Sequence, residues 1–292
     1  MKRLLASVSL ALALAFPALA QPLSGSVIRT ETLHSLTLNE DVNVNIYLPA
    51  GYDQNADKTY PVVYLLHGLT DTYTAWAVQG HMKDVVDELI LSGEAARMVI
   101  IMPNAGDPDA RNVWNGYFNQ PGHRYEDFFF GELMPELEAR FHIKGDKQHR
   151  AIMGLSMGGG GSTVYCQRHP DVFSSCYAMS PWLDNEEPWS DNPEDKLYKV
   201  CQSVHEHSAI DFVEKADEAT LEKLRTVKWF IDCGDDDFLL DQSLSFYQQM
   251  RSRGVKAELR VRDGWHGWEY WHLALRMALP FASRNFGHPE AL

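Results

Sequence analysis

The chain has 292 residues, 45% hydrophobic and 23% charged, an ordinary globular composition too apolar for a disordered chain. Its twenty Gly and fourteen Pro follow no period, which excludes collagen, coiled coil and solenoid. Forty acidic against twenty-six basic side chains give a formal net charge of −14, which repels nucleic acid and anionic lipid and suits a neutral or weakly charged ligand.

The first elements lie at the N-terminus. Lys2 and Arg3 precede an apolar run over 4–16, then Pro17 and the small-x-small ending Ala18-Leu19-Ala20. A run this short does not span a bilayer, which needs about 20 residues, so it reads as an export signal cut after Ala20. Export makes the protein secreted or periplasmic, with no membrane span in the mature form. No Cys follows the cut, so no lipid anchor is expected, and the remaining 272 residues carry −16. Residues 24–49 then alternate as antiparallel strands, with Val42, Val44, Ile46 and Leu48 on one face. A turn over 50–59 leads to a continuous apolar strand, 61–66, and 98–102 and 151–153 read the same way. Strands so apolar are buried on both faces, as in a parallel sheet covered by helices.

Between them lie a helix at 82–90 and a stripe of Phe130, Leu133, Met134, Leu137 and Phe141, where Pro135 predicts a kink or a later helix start. Further on come a strand at 227–231, a helix at 241–253 stopped by Gly254, and an alternating strand of Val255, Ala257, Leu259 and Val261. The last helix, about 268–283, buries Trp271, Leu275, Ala278, Leu279 and Ala282. This order predicts an α/β fold: one domain over 21–292, a mostly parallel central sheet with helices on both faces and an N-terminal antiparallel edge. Two long connections interrupt it, 104–124 and an insertion at about 181–226. Both follow strand C-termini, where open sheets place their ligands.

Gly154-Leu155-Ser156-Met157-Gly158 stands between an apolar strand and a small-residue helix start, the context a nucleophile elbow requires. A turn tight enough to project the Ser156 hydroxyl leaves no room for β-carbons at the flanking positions. The run Gly158 to Gly161 lacks the Lys of a phosphate-binding loop and reads as close helix-to-sheet packing. Candidate acids Asp235, Asp236 and Asp237 follow a later strand, and spacing alone does not choose among them. His266 follows the last strand in a Gly-x-x-Gly loop and is the candidate base. The backbone N–H groups of Met157 and Leu69 are the expected oxyanion donors, with His67 shaping the loop between them. Cys166, Cys176, Cys201 and Cys233 permit two disulfides in three pairings, or stand as inert buried thiols. No Cys-x-x-Cys spacing occurs, and His205-x-His207 lacks further spaced ligands, so neither metal nor cofactor is expected.

Four motifs in order carry a family resemblance: Leu65-Leu66-His67-Gly68 with Trp76 following, Gly154-Leu-Ser-Met-Gly-Gly159, Cys233-Gly-x-x-Asp237-x-Leu239, and Gly264-x-His266-x-Trp268. Together they resemble the esterase-D-like family of α/β-hydrolases over about residues 25–285. The resemblance implies an α/β-hydrolase fold, selects Asp237 as the acid partner, and implies a serine carboxylic-ester hydrolase. The export signal favours the feruloyl and acetyl-xylan esterases, acting on plant polysaccharide, over S-formylglutathione hydrolases or acyltransferases. Trp76, Trp114, Tyr117, Trp182 and Trp189 are candidates to stack on a sugar or phenolic acyl group. A different class, a non-catalytic carbohydrate-binding protein on a hydrolase fold, would lack a reactive serine.

Overall fold

The computed structural model describes residues 25–53 and 57–287; the expected export signal and its cleavage site lie outside the described residues. The chain runs through β1 (Val27–Ser35), β2 (Glu40–Leu48), β3 (Val62–Leu66), α1 (Ala75–Val78), α2 (Met82–Leu91), β4 (Val99–Pro103), β5 (Asn119–Gln120), β6 (His123–Arg124), α3 (Tyr125–Phe128) and α4 (Met134–Arg140). It continues through β7 (Arg150–Leu155), α5 (Met157–Arg168), β8 (Ser175–Met179), α6 (Lys196–Glu206), α7 (Ala209–Lys215), α8 (Glu218–Leu224), β9 (Lys228–Gly234), α9 (Leu240–Ser252), β10 (Ala257–Arg262) and α10 (Trp268–Asn285). Eight strands form one sheet in the order β1-β2-β4-β3-β7-β8-β9-β10. The β1–β2 and β2–β4 pairs are antiparallel and every other pair is parallel. This is the mostly parallel sheet with an antiparallel N-terminal edge that the chain order predicts.

Alternation along the central strands feeds two cores. In β3, Val62, Tyr64 and Leu66 point to a core shared with Phe128, Leu133, Val164 and Phe246, while Val63 and Leu65 point to one shared with Val85, Leu89, Trp271 and Leu275. Helices therefore cover both faces, and each fully buried Val or Leu contributes about 1.5–3 kcal/mol. Pro135 acts as expected: α3 passes through a π-helical turn, Phe129–Leu133, and α4 starts at Met134 with the proline in its first turn. The wider turn takes in the proline, which has no N–H to give to the carbonyl four residues back and whose ring would crowd that carbonyl in a regular α-helix. Strand β8 has no counterpart in the sequence reading. Its Ser-Cys-Tyr-Ala-Met run lacks branched apolar residues, yet all five are buried between β7 and β9. Val261 is 42% exposed, because β10 is the edge strand. The 181–226 insertion carries α6, α7 and α8.

All four cysteines are free and buried. Burial pushes the Cys233 thiol up to about 12 and Cys166 well above its ordinary value, so these thiols are unreactive.

The glycine run at the start of α5 serves close packing. A β-carbon on Gly158 would stand 2.6 Å from the Leu66 and His67 carbonyl oxygens, and one on Gly161 2.8 Å from the Tyr117 ring. On Gly160 it would run into the Trp182 carbonyl oxygen. Backbone cannot yield as a flexible side chain does, so Gly160→Ala is expected to lower unfolding free energy by about 2–4 kcal/mol. Gly131→Ala, with nothing within 4 Å of its β-carbon, should change it little. Urea midpoints of the two variants check the contrast.

Candidate active site

Strand β7 ends beneath Ser156, whose backbone sits at φ 52°, ψ −117°. That conformation costs a residue with a side chain about 1–3 kcal/mol and persists only where its surroundings hold it. Here they do. The Ser156 N–H donates to the Met179 carbonyl at 2.9 Å, and its own carbonyl accepts from Trp182 N–H at 2.9 Å and Gly160 N–H at 3.0 Å. The turn lifts Oγ above the C-terminal edge of the sheet, with the N-terminus of α5 directly after it.

The ends of β9 and β10 deliver the partners. His266 Nε2 lies 3.0 Å from Ser156 Oγ, and Nδ1 lies 2.9 and 2.8 Å from the two Asp237 oxygens. The neighbours in the acidic run sit elsewhere. Asp235 is exposed and accepts the Gly264 N–H at 3.0 Å, Asp236 is exposed, and Asp237 is buried. Burial acts to raise the Asp237 pKa, but hydrogen bonds from His266, the Ser180 side chain and the Leu239 N–H outweigh it. Its carboxyl is held below the ordinary value and stays ionised beneath the imidazole.

The turn that carries Leu69 and the helix start that carries Met157 both adjoin Ser156. A β-carbon on Gly68 would lie 3.6 Å from Ser156 Cβ, so the turn after β3 rests against the nucleophile. The Gly68 carbonyl accepts from His67 Nδ1 at 2.8 Å and from the Asp71 N–H at 3.2 Å. In a trans peptide this leaves the Leu69 N–H on the opposite side, away from both donors. Met157 is the first residue of α5, so its N–H has no helical acceptor.

His67 shapes this loop. The Ala105 N–H donates to Nε2 at 2.9 Å, which places the ring proton on Nδ1. Burial pushes its pKa down to about 4, against an ordinary 6.5. The unfolded chain therefore takes up this proton first. The stabilisation is fully present above about pH 6.5 and is lost as pH falls toward 4, in total about 3 kcal/mol. Urea midpoints measured from pH 7.5 downward should show this loss, and His67→Gln should remove that part of the slope.

Three of the five aromatic candidates are corrected. Trp76 is buried, donates Nε1–H to the Leu66 carbonyl at 3.0 Å, and packs edge-to-face with Trp268. Tyr117 is buried, its hydroxyl bridging the His67 N–H and carbonyl. Trp114 is half-buried, stacks on His123 with Lys196 Nζ 3.5 Å over its ring, and lines a cleft at the sheet edge. Trp182 is buried beneath Trp189, with centroids 4.5 Å apart and planes 4° apart, leaving Trp189 47% exposed. Sequence reasoning passed over several neighbours. Ser180 ends the unrecognised β8 at φ 43°, accepts Trp271 Nε1–H at 3.0 Å and donates to Asp237. Phe238 lies 4.5 Å from the His266 ring, and both Phe238 and Trp265 are exposed beside the triad. Phe238 and Trp265 each stand next to a motif residue, Asp237 and His266, which is the available signal; Ser180 follows a strand that has none.

The sequence matches the family described as Putative esterase over residues 35–282. The chain belongs to that family. This agrees with the resemblance carried by the four motifs, and the putative esterase family is one of carboxylic ester hydrolases. A solved structure titled ferulic acid esterase is 50% identical, superposes with a TM-score of 0.88, and matches 90% of this chain and 100% of its own. An endo-1,4-beta-xylanase/feruloyl esterase of Xylanibacter ruminicola is 32% identical over 149 residues, which is 50% of this chain and 20% of that protein. The chain thus spans about a fifth of the length of that curated relative. An acetyl esterase of Caldicellulosiruptor saccharolyticus is 22% identical over 76% of this chain and 83% of its own. An S-formylglutathione hydrolase of Staphylococcus aureus, 23% identical with a TM-score of 0.72, shares the fold.

Among the described residues no helix is long and apolar enough to cross a membrane.

Proposed function

We propose that the protein is an exported serine esterase, one domain over residues 21–292, that removes feruloyl or acetyl groups from plant polysaccharide or oligosaccharide. One observation carries the reading: Ser156 Oγ on a strained elbow within 3.0 Å of an imidazole whose other nitrogen is held by both oxygens of a buried carboxylate. In acylation, Ser156 Oγ bonds to the ester carbonyl carbon as its proton passes to His266 Nε2. Asp237 fixes the tautomer and stabilises the imidazolium, and the Leu69 and Met157 N–H groups receive the oxyanion. The proton then goes to the departing alkoxide as the carbon–oxygen bond breaks. Water, deprotonated by the same imidazole, attacks the acyl-enzyme and releases the acid.

The similarity to a ferulic acid esterase supports the acyl group. Trp189, Phe238 and Trp265 supply exposed aromatic surface for a phenolic ring or a sugar. A cleft of about 150 Å³ at the same sheet edge, lined by Glu40, Asp41, Asn104, Asp107, Trp114 and His123, offers acceptors to sugar hydroxyls. The test is a kinetic panel on the mature protein: methyl ferulate, acetylated xylan, S-formylglutathione and p-nitrophenyl acetate. Turnover of methyl ferulate or acetylated xylan well above S-formylglutathione is expected. Cleavage of p-nitrophenyl acetate alone overturns the polysaccharide assignment, and S-formylglutathione as best substrate replaces it with a thioesterase.

A further inference from the structure

A carboxylate that the ester-cleaving steps do not use stands beside the nucleophile. The turn after β3 closes through the Asp71 N–H on the Gly68 carbonyl, and the Asp71 side chain folds back to accept the Gly68 N–H. That return brings Asp71 Oδ2 to 3.2 Å from the position of a β-carbon on Gly68, and Ser156 Cβ lies 3.6 Å from the same point. The carboxylate and the nucleophile therefore flank one glycine. Among the described residues no cation acts on it: burial pushes the Asp71 pKa up to about 6, opposed only by the Gly68 N–H. A negative charge here disfavours the oxyanion of either tetrahedral intermediate, so rate alone does not account for it.

The change in charge over a turnover does. A neutral ester enters the site, and a carboxylate is left in its place. We propose that Asp71 is a charge gate of the acyl site: its carboxylate expels the acid product from the oxyanion hole and bars substrates that carry a negative charge next to the scissile bond. The inference rests on the esterase reading above and adds a discriminating residue to the same site. It gives the site weak affinity for its own product in neutral medium, and a product-inhibited site at lower pH as Asp71 takes up a proton. The other ionisable groups at this spot are His67, bound at both ring nitrogens, Tyr117, whose burial holds its phenol protonated, and the Asp237–His266 pair. All are common to the proteins compared below.

The experiment measures inhibition by the product acid against its own ester, ferulate against methyl ferulate and acetate against p-nitrophenyl acetate, in the native sequence, Asp71→Asn and Asp71→Glu. Asparagine keeps an acceptor for the Gly68 N–H while removing the charge, and glutamate keeps the charge. At about pH 7.5 the inhibition constant of the acid should fall about tenfold in Asp71→Asn and stay near the native value in Asp71→Glu. The corresponding neutral amide should inhibit all three proteins alike. At about pH 5 the native protein and Asp71→Asn should converge, because Asp71 is then protonated. Equal inhibition constants at pH 7.5, an amide shifted as much as the acid, or a gap that persists at pH 5 would each overturn the gate. Failure of the native protein to cleave either ester is a separate outcome, which overturns the esterase reading and the gate with it.

Discussion

Ser156→Ala is expected to lower turnover of an activated ester by about 10⁴–10⁶ while leaving the fold intact. The size follows from the chemistry. Without Oγ no acyl-enzyme forms, and His266 Nε2, now facing a methyl group, has no hydroxyl to deprotonate. What survives is the binding surface and the proposed oxyanion donors, together worth about 10³–10⁴ over water in comparable sites. The elbow keeps its hydrogen bonds to Met179, Gly160 and Trp182, because all three use the Ser156 backbone. Stopped-flow or long-incubation assays on the purified variant, beside a urea melt, separate lost chemistry from lost fold. Residual turnover within tenfold of the native protein would remove Ser156 from the mechanism.

The second large effect is at the acid. Asp237→Asn should lower turnover by about 10⁴, because an amide N–H₂ set against His266 Nδ1 favours the tautomer whose proton sits on Nε2, where it cannot accept from Ser156. Asp237 is buried and shares both oxygens with Nδ1, so solvent offers no substitute. Its neighbour supplies the control. Asp236 is exposed and makes no contact with His266, so Asp236→Asn should stay within about twofold of native turnover. A larger loss in Asp236→Asn than in Asp237→Asn would mean that the acid had been misassigned.

Much of this site is legible in the sequence, because the elbow is a local device. A strand, a serine and flanking glycines suffice to specify it, and Gly154 and Gly158 lie within two residues of the Ser156 they serve. The order of strand ends then brings Asp237 and His266 to one edge of the sheet. What escapes the sequence depends on contacts between distant segments. Strand β8 is recognised by its ladders to β7 and β9, since Ser175, Cys176 and Ala178 carry no pattern of their own. With β8 unseen, Ser180 at its end had no position, and its bond to Asp237 no basis. The aromatic candidates failed for a related reason. Loop membership does not reveal which rings are already covered, and Trp76, Tyr117 and Trp182 are covered by Trp268, the His67 backbone and Trp189. Asp71 lies three residues from a motif glycine, but its approach to Ser156 comes from the return of its side chain over the turn.

The most direct test of the central claim is the mass of the intact protein after treatment with a serine-directed phosphonate, followed by peptide mapping. A reactive nucleophile activated by His266 gives one phosphonyl adduct, on the peptide carrying Ser156, at a rate that collapses in His266→Ala and is absent in Ser156→Ala. An unmodified native protein, or an adduct on another serine, would contradict the account.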